Sequence, residues 1–128
     1  MWRLLEQINI QMTKQLIEAY SQVSGDVNPI HLSEKVAMDE GFPKEVAHGM
    51  LSMAISAKVI SPFLERGWVL AIYWVKFSSP LFVGDQLMVD TELVESDEDG
   101  IVLKLIGNNQ QGERILQGKI ELVKKLEI

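Results

Sequence analysis

The chain has 128 residues, 47% hydrophobic and 23% charged, with 12 basic and 18 acidic side chains for a formal charge of -6, two histidines and no cysteine. That length fits one domain over residues 1–128, able to bury roughly 65–70% of its unfolded surface and so be stable without disulfides or a structural metal. The absence of cysteine excludes a disulfide framework, thiolate zinc sites, iron–sulfur clusters and a thiol nucleophile, and an acidic pI of about 4.9 without clustered Lys/Arg argues against nucleic acid as a partner.

In chain order, the first residues, Met1 to Glu6, are broken by charge too early for a signal-peptide core. A short strand is expected near Leu4–Ile10. Thr13 can cap a helix carrying Leu16, Ile17, Tyr20 and Val23 at helical spacing, and Gly25 stops it. Ser33 is a good N-cap for a second helix that ends at Gly41. The stretch Ala47 to Ala57 has small or apolar residues on nearly every face, which predicts a helix enclosed on most sides. The longer apolar run to Leu64 contains His48, Lys58 and Pro62, so it reads as a buried helix and not a membrane span. A cytoplasmic protein with no membrane partner is expected.

From Trp68 the period changes. Trp68–Phe77 is aromatic and β-branched, and Leu87, Val89, Thr91 and Leu93 alternate with Met88, Asp90, Glu92 and Val94, which predicts strands with one buried face. Turns are expected at Ser96–Gly100 and Gly107–Gly112, flanked by strands over Ile101–Ile106 and Ile115–Val123. An apolar helix followed by hairpin-connected strands predicts an α+β architecture, an antiparallel sheet wrapped round that helix. Met50, Met53 and Met88 are expected in the core, and Trp68, Tyr73 and Trp74 in strand packing.

Two stretches hold both histidines: Ser24-Gly25-Asp26-Val27-Asn28-Pro29-Ile30-His31 and Ala47-His48-Gly49-Met50-Leu51. Gly25 breaks the preceding helix and Pro29 disfavours the α region at Asn28, so the first stretch is expected to be a non-helical turned loop that brings Asp26 and His31 toward one point. A carboxylate beside an imidazole can hold a water and exchange protons with it. Asp26 and Asn28 are equally natural turn formers. At Gly49 the unpaired N–H groups of a helix start could stabilise an oxyanion, or the glycine could serve only close packing. Asp26, His31 and His48 match no compact metal-ligand spacing, so no metal is expected.

The stretch Tyr20 to His31, which contains the first of these, resembles the signature of the MaoC-like (R)-specific enoyl-CoA hydratases and 3-hydroxyacyl dehydratases. The resemblance extends to Ala47–Leu51 and to Ser79-Pro80-Leu81-Phe82-Val83-Gly84-Asp85, in the same order. It implies a hotdog fold, a long central helix wrapped by a curved antiparallel sheet, assembled as a homodimer or higher oligomer. It also implies reversible addition of water to a trans-2-enoyl thioester of coenzyme A or acyl carrier protein, with no further cofactor. By the same resemblance Asp26 and His31 are the catalytic pair and the Gly49 N–H polarises the thioester carbonyl. Asn28 braces the loop, while Val83 and Gly84 lie near the thioester cleft. His48 reads as a residue of the helix start. Some relatives carry a serine further along the central helix; here that position is Ala57, with Ser52 and Ser56 nearby. An anionic carrier on an acidic chain calls for local cations, with Lys58, Arg66 and Lys76 the nearest in sequence. The alternatives are a hotdog acyl thioesterase and a non-catalytic acyl-CoA-binding partner subunit.

Overall fold

The computed structural model describes residues 5–125. Strand β1 (Ile8–Gln11) leads into helix α1 (Lys14–Ser24), whose start is capped by Thr13 Oγ1 accepting from the Leu16 N–H at 3.1 Å. Gly25, at φ +79°, closes it in the left-handed conformation that a side chain would disfavour. Ile17 and Ser21 form its buried face.

The next turn departs from expectation. Pro29–Leu32 is a helical turn, α2, so His31 sits on helix and not on irregular loop. Proline does keep Asn28 out of the α region, with ψ at 126°, but Asn28 is the N-cap, where extended backbone belongs. Pro29 takes the first helical position, where its fixed φ is favourable and no N–H is needed. Helix α3 (Glu34–Asp39) follows, capped by Ser33 as expected.

The central helix is a continuous run of three pieces: α4 (Gly49–Ser56), a 3-10 turn (Ala57–Ile60) and α5 (Ser61–Leu64). Leu51, Ile55, Val59 and Ile60 face the core. The Ser56 hydroxyl donates to the Ser52 carbonyl at 2.8 Å, a bond across one turn made just where the helix tightens. The helix is enclosed on most sides but leaves one open stripe: Met50 is 60% exposed, and Ala54 and Lys58 continue it. A small or apolar residue on every face reads alike whether sheet or second chain covers it.

Strands β2 (Trp68–Phe77), β3 (Gln86–Ser96), β4 (Gly100–Asn108) and β5 (Arg114–Lys124) complete one antiparallel sheet, ordered β1-β3-β4-β5-β2. Alternation puts Leu87, Val89 and Thr91, then Ile101, Leu103 and Leu105, then Leu116, Ile120 and Leu122 on the buried face. Strand β2 is an edge and behaves differently. Trp68 and Tyr73 are half-buried against the core, but Trp74 is 55% exposed, and Val69, Leu70, Ile72 and Phe77 are exposed too. Met53 and Met88 are half-buried. No helix among the described residues is long and apolar enough to cross a membrane.

Two contacts tie β2 down. Opposite Val75, Gly118 lets the strands meet closely: a Cβ there would press on the Trp74 carbonyl and lie 3.0 Å from Val75 Cγ2. The Tyr73 phenol donates to the Met53 carbonyl of the central helix, and burial pushes its pKa up to about 12. Gly118→Val should cost about 2–3 kcal/mol by overpacking, read as a lowered urea midpoint. Tyr73 in the folded state holds its proton above its usual value of 10.0, so its contribution is intact below that pH. Between pH 10 and about 12 the unfolded chain alone ionises there and stability declines. Tyr73→Phe should show a shallower loss of melting temperature over that window than the wild type.

Candidate active site

A chain of local hydrogen bonds shapes the loop after α1. Ser24 Oγ accepts from the Asp26 N–H at 3.1 Å, Asp26 Oδ1 from the Asn28 N–H at 3.3 Å, and Asn28 Oδ1 from the Ile30 N–H at 3.2 Å. The result faces Asp26 toward His31, with Oδ2 and Nε2 3.8 Å apart. His31 Nδ1 lies 2.6 Å from the Val46 carbonyl. A carbonyl only accepts, so Nδ1 carries a proton and Nε2 presents the free lone pair of the neutral ring. Asn28 is exposed, and its recorded polar contacts serve the turn and the helix cap.

The structure adds His48 to this pair. As N-cap of α4 it makes no side-chain bond to its own helix. Its ring turns back instead, placing Nε2 3.1 Å from both the Asp26 carbonyl and Ser21 Oγ. It stacks on His31 with ring centres 3.7 Å apart and planes 24° from parallel, and Tyr20 meets it edge-on at 4.8 Å. Burial lowers its pKa below the ordinary 6.5; the nearby His31 charge acts in the same sense, while the Asp26 carbonyl and carboxylate oppose. Its Nδ1 is buried without a hydrogen-bond partner. Sequence reading placed His48 at the helix start but missed the stack; Tyr20 and Ser21 fall inside the stretch that carries the family resemblance, yet neither was singled out as a site residue.

Asp26, His31 and His48 offer possible metal-ligand atoms within 4.8 Å of one another. Of these, His48 Nε2–H is engaged by the Asp26 carbonyl and its Nδ1 is buried, so the atoms left to act together are the Asp26 carboxylate and His31 Nε2, a set suited to proton exchange.

Gly49 is the first residue of α4, where an N–H has no acceptor within the helix. A Cβ there would come within 3.3–3.5 Å of the Phe77 ring, so close packing and an accessible backbone donor both apply. A cavity of about 340 Å³ opens beside it, walled by Ala47, Ser52, Phe77, Pro80, Leu81 and Ile115. Val83 and Gly84 lie apart from this wall. The β2–β3 connection reaches the cavity through Ser78 to Leu81; beyond that Val83 N–H is bound to the Glu45 carbonyl and Gly84 N–H to the Met12 carbonyl, which fastens those residues to the core instead.

Ser52 lines the cavity, whereas Ser56 spends its proton on the Ser52 carbonyl and Ala57 has no hydroxyl to offer. Of the expected cations, Lys58 and Arg66 share a second cavity, of about 580 Å³, between Leu5–Ile8 and the far end of the central helix. Lys76 is exposed on β2.

Residues 3–111 match the MaoC like domain. Over 84 residues the chain is 29% identical to an (R)-specific enoyl-CoA hydratase of Aeromonas caviae, covering 65% of this chain and 63% of that protein. Over 72 residues it is 35% identical to a mitochondrial 3-hydroxyacyl-[acyl-carrier-protein] dehydratase of Arabidopsis thaliana, covering 56% and 43%. The chain thus spans less than two thirds of the length of these curated relatives. The unliganded R-hydratase PhaJ1 from Pseudomonas aeruginosa superposes with a TM-score of 0.86 at 26% identity, over 98% of this chain and 81% of that one. The (R)-hydratase structure from A. caviae shares the fold, with a TM-score of 0.85 at 23% identity over 98% and 95%. The sheet folded about a central helix is the hotdog fold, and with the match running over residues 3–111 and Asp26, His31 and Gly49 grouped about the start of that helix, the chain belongs to the MaoC-like family.

Proposed function

We propose that the chain is a hydro-lyase that adds water reversibly to the trans-2 double bond of an enoyl thioester of coenzyme A or acyl carrier protein, giving an (R)-3-hydroxyacyl thioester. It would act in the cytoplasm as a homodimer and need no further cofactor. The observation that carries this reading is the Asp26–His31 pair, 3.8 Å apart, with one imidazole nitrogen tied to Val46 and the other free.

A water oxygen can lie within hydrogen-bond reach of both groups. In hydration, His31 Nε2 takes one proton of that water as its oxygen bonds to the β-carbon, and the π electrons move through the α-carbon onto the thioester oxygen. Asp26 accepts the water's second hydrogen and steadies the imidazolium that forms. The enolate then takes the proton from His31 at the α-carbon, so the net change is one water added and the pair restored. Delivery from one side of the substrate fits a single stereochemical outcome. The Gly49 N–H at the helix start is suited to the charge gathering on the thioester oxygen, where one such donor is worth about 3–4 kcal/mol. The cavity beside Gly49 supplies an apolar wall for the acyl group.

Support for a homodimer comes from β2. It is a ten-residue edge strand with Lys76 as its single charge and a row of exposed apolar side chains, a template for pairing with another strand. A second copy across this edge would continue the sheet and cover Trp74.

Purified protein mixed with short- and long-chain trans-2-enoyl-CoA should abolish the conjugated-thioester absorbance and yield the (R)-3-hydroxy product. Release of free coenzyme A instead would make it a thioesterase, and binding without turnover an accessory subunit. Asp26→Asn and His31→Gln should each lower kcat by at least about a hundredfold while remaining folded; near-normal rates would remove the pair from the chemistry. In sedimentation the wild type should run as a dimer and Trp74→Glu as a monomer. A monomeric wild type at micromolar concentration would refute the pairing through β2.

A further inference from the structure

The proton accounting above leaves His48 without a task, although it is 2% exposed and sits in the middle of the cluster. Thr13, Asn28 and Ser33 each cap the helix they precede, accepting from its first turn; His48 holds the same position before α4 and does not. Its polar atom is directed at another segment altogether, and its ring at the one imidazole with a free nitrogen. The groups facing it are the Asp26 carboxylate and carbonyl, the His31 ring, Ser21 Oγ and the Tyr20 ring.

We propose that His48 is the positioning residue of the site: its Nε2–H anchors the main chain of Asp26, and its ring is the wall against which His31 is held. Kinetically this rests on the hydratase reading; structurally it stands on the geometry alone. Asp26 has a half-exposed side chain, so its bearing on His31 depends on where its backbone is pinned. The carbonyl of Asp26 can only accept, which makes Nε2 the protonated nitrogen of His48 and leaves Nδ1 as a buried lone pair, as observed. A stacked ring blocks motion of His31 out of its plane while leaving its in-plane Nε2 clear. When His31 gains a proton, a neutral aromatic face at 3.7 Å attracts the cation, whereas a charged one would repel it. Burial supports this by disfavouring the charged form of His48.

Two substitutions separate the anchor from the wall. His48→Gln keeps an N–H donor at similar reach but loses the ring face; His48→Phe keeps the face but loses the donor. Each should lower kcat by about ten- to a hundredfold, as small misplacements of reacting groups do, with KM held within about threefold. Because Phe acts through Asp26, adding His48→Phe to Asp26→Asn should cost less than about threefold more. Wild-type kcat in a folded variant, a raised KM at unchanged kcat, or multiplicative losses in the double variant would overturn the proposal.

A second measurement needs no turnover. The chain has two histidines, so long-range proton–nitrogen NMR assigns both rings directly. At pH 6.5, where an ordinary histidine is half-charged, His48 should be less charged than that and its neutral form the Nε2–H tautomer. Neutral His31 should be the Nδ1–H tautomer in the wild type and in His48→Phe, which keeps the wall, and a mixture in His48→Gln, which removes it. A half-charged or Nδ1–H His48, or a His31 indifferent to loss of the ring face in His48→Gln, would overturn the assignment even in a protein that hydrates nothing, whereas failure of hydration with these signatures intact would sink only the hydratase reading.

Discussion

Burial of Leu51, Ile55 and Val59 along one stripe of the central helix, in a single core with Leu103, Leu105, Ile120 and Leu122 of the sheet, decides where that helix begins, and the site is built on its beginning. Each such side chain contributes roughly 1.5–3 kcal/mol on burial. The hydrogen bonds that shape the Asp26 loop contribute about 1 kcal/mol apiece and could not hold a functional geometry by themselves. They need a rigid reference. His48, one residue before the helix, reaches from that reference to the Asp26 carbonyl, and Val46, two residues earlier still, takes the His31 N–H. The helix thereby sets both members of the pair from one short segment.

The electrostatics of the cluster are economical. It holds one exposed carboxylate, one largely buried imidazole with a single free nitrogen, and a second imidazole whose charged form burial disfavours. That combination can move a proton between a water and a neighbouring carbon without needing a strongly perturbed acid. The charge of -6 is spread over the surface, while Lys58 and Arg66 are drawn together at the far end of the central helix and Lys76 lies on the exposed edge.

Much of this was legible residue by residue. Thr13, Gly25 and Ser33 mark helix boundaries through interactions no more than four residues long, and the alternation in β3, β4 and β5 names their buried faces directly. Pro29 misled because its two local effects point different ways: it bars helix at Asn28 and favours helix from Pro29 onward, and the N-cap role of Asn28 satisfies both. Met50 and Trp74 misled for another reason. Apolar side chains predict burial, but not whether the covering surface belongs to the same chain.

The sequence alone determined most of the elements, their caps and the strand faces, since periodicity and turn chemistry are local, and its resemblance to the MaoC-like family singled out Asp26 and His31, the pair proposed to react. Only the tertiary structure decided which imidazole nitrogen is free, that His48 stacks on His31, that the Val83 and Gly84 N–H groups are bound to the Glu45 and Met12 carbonyls, and that β2 is an open edge. Each of these depends on partners brought together from separate stretches, Val46 with His31, Ser21 with His48, Glu45 with Val83, and β2 with β5, at distances that no window along the chain can contain.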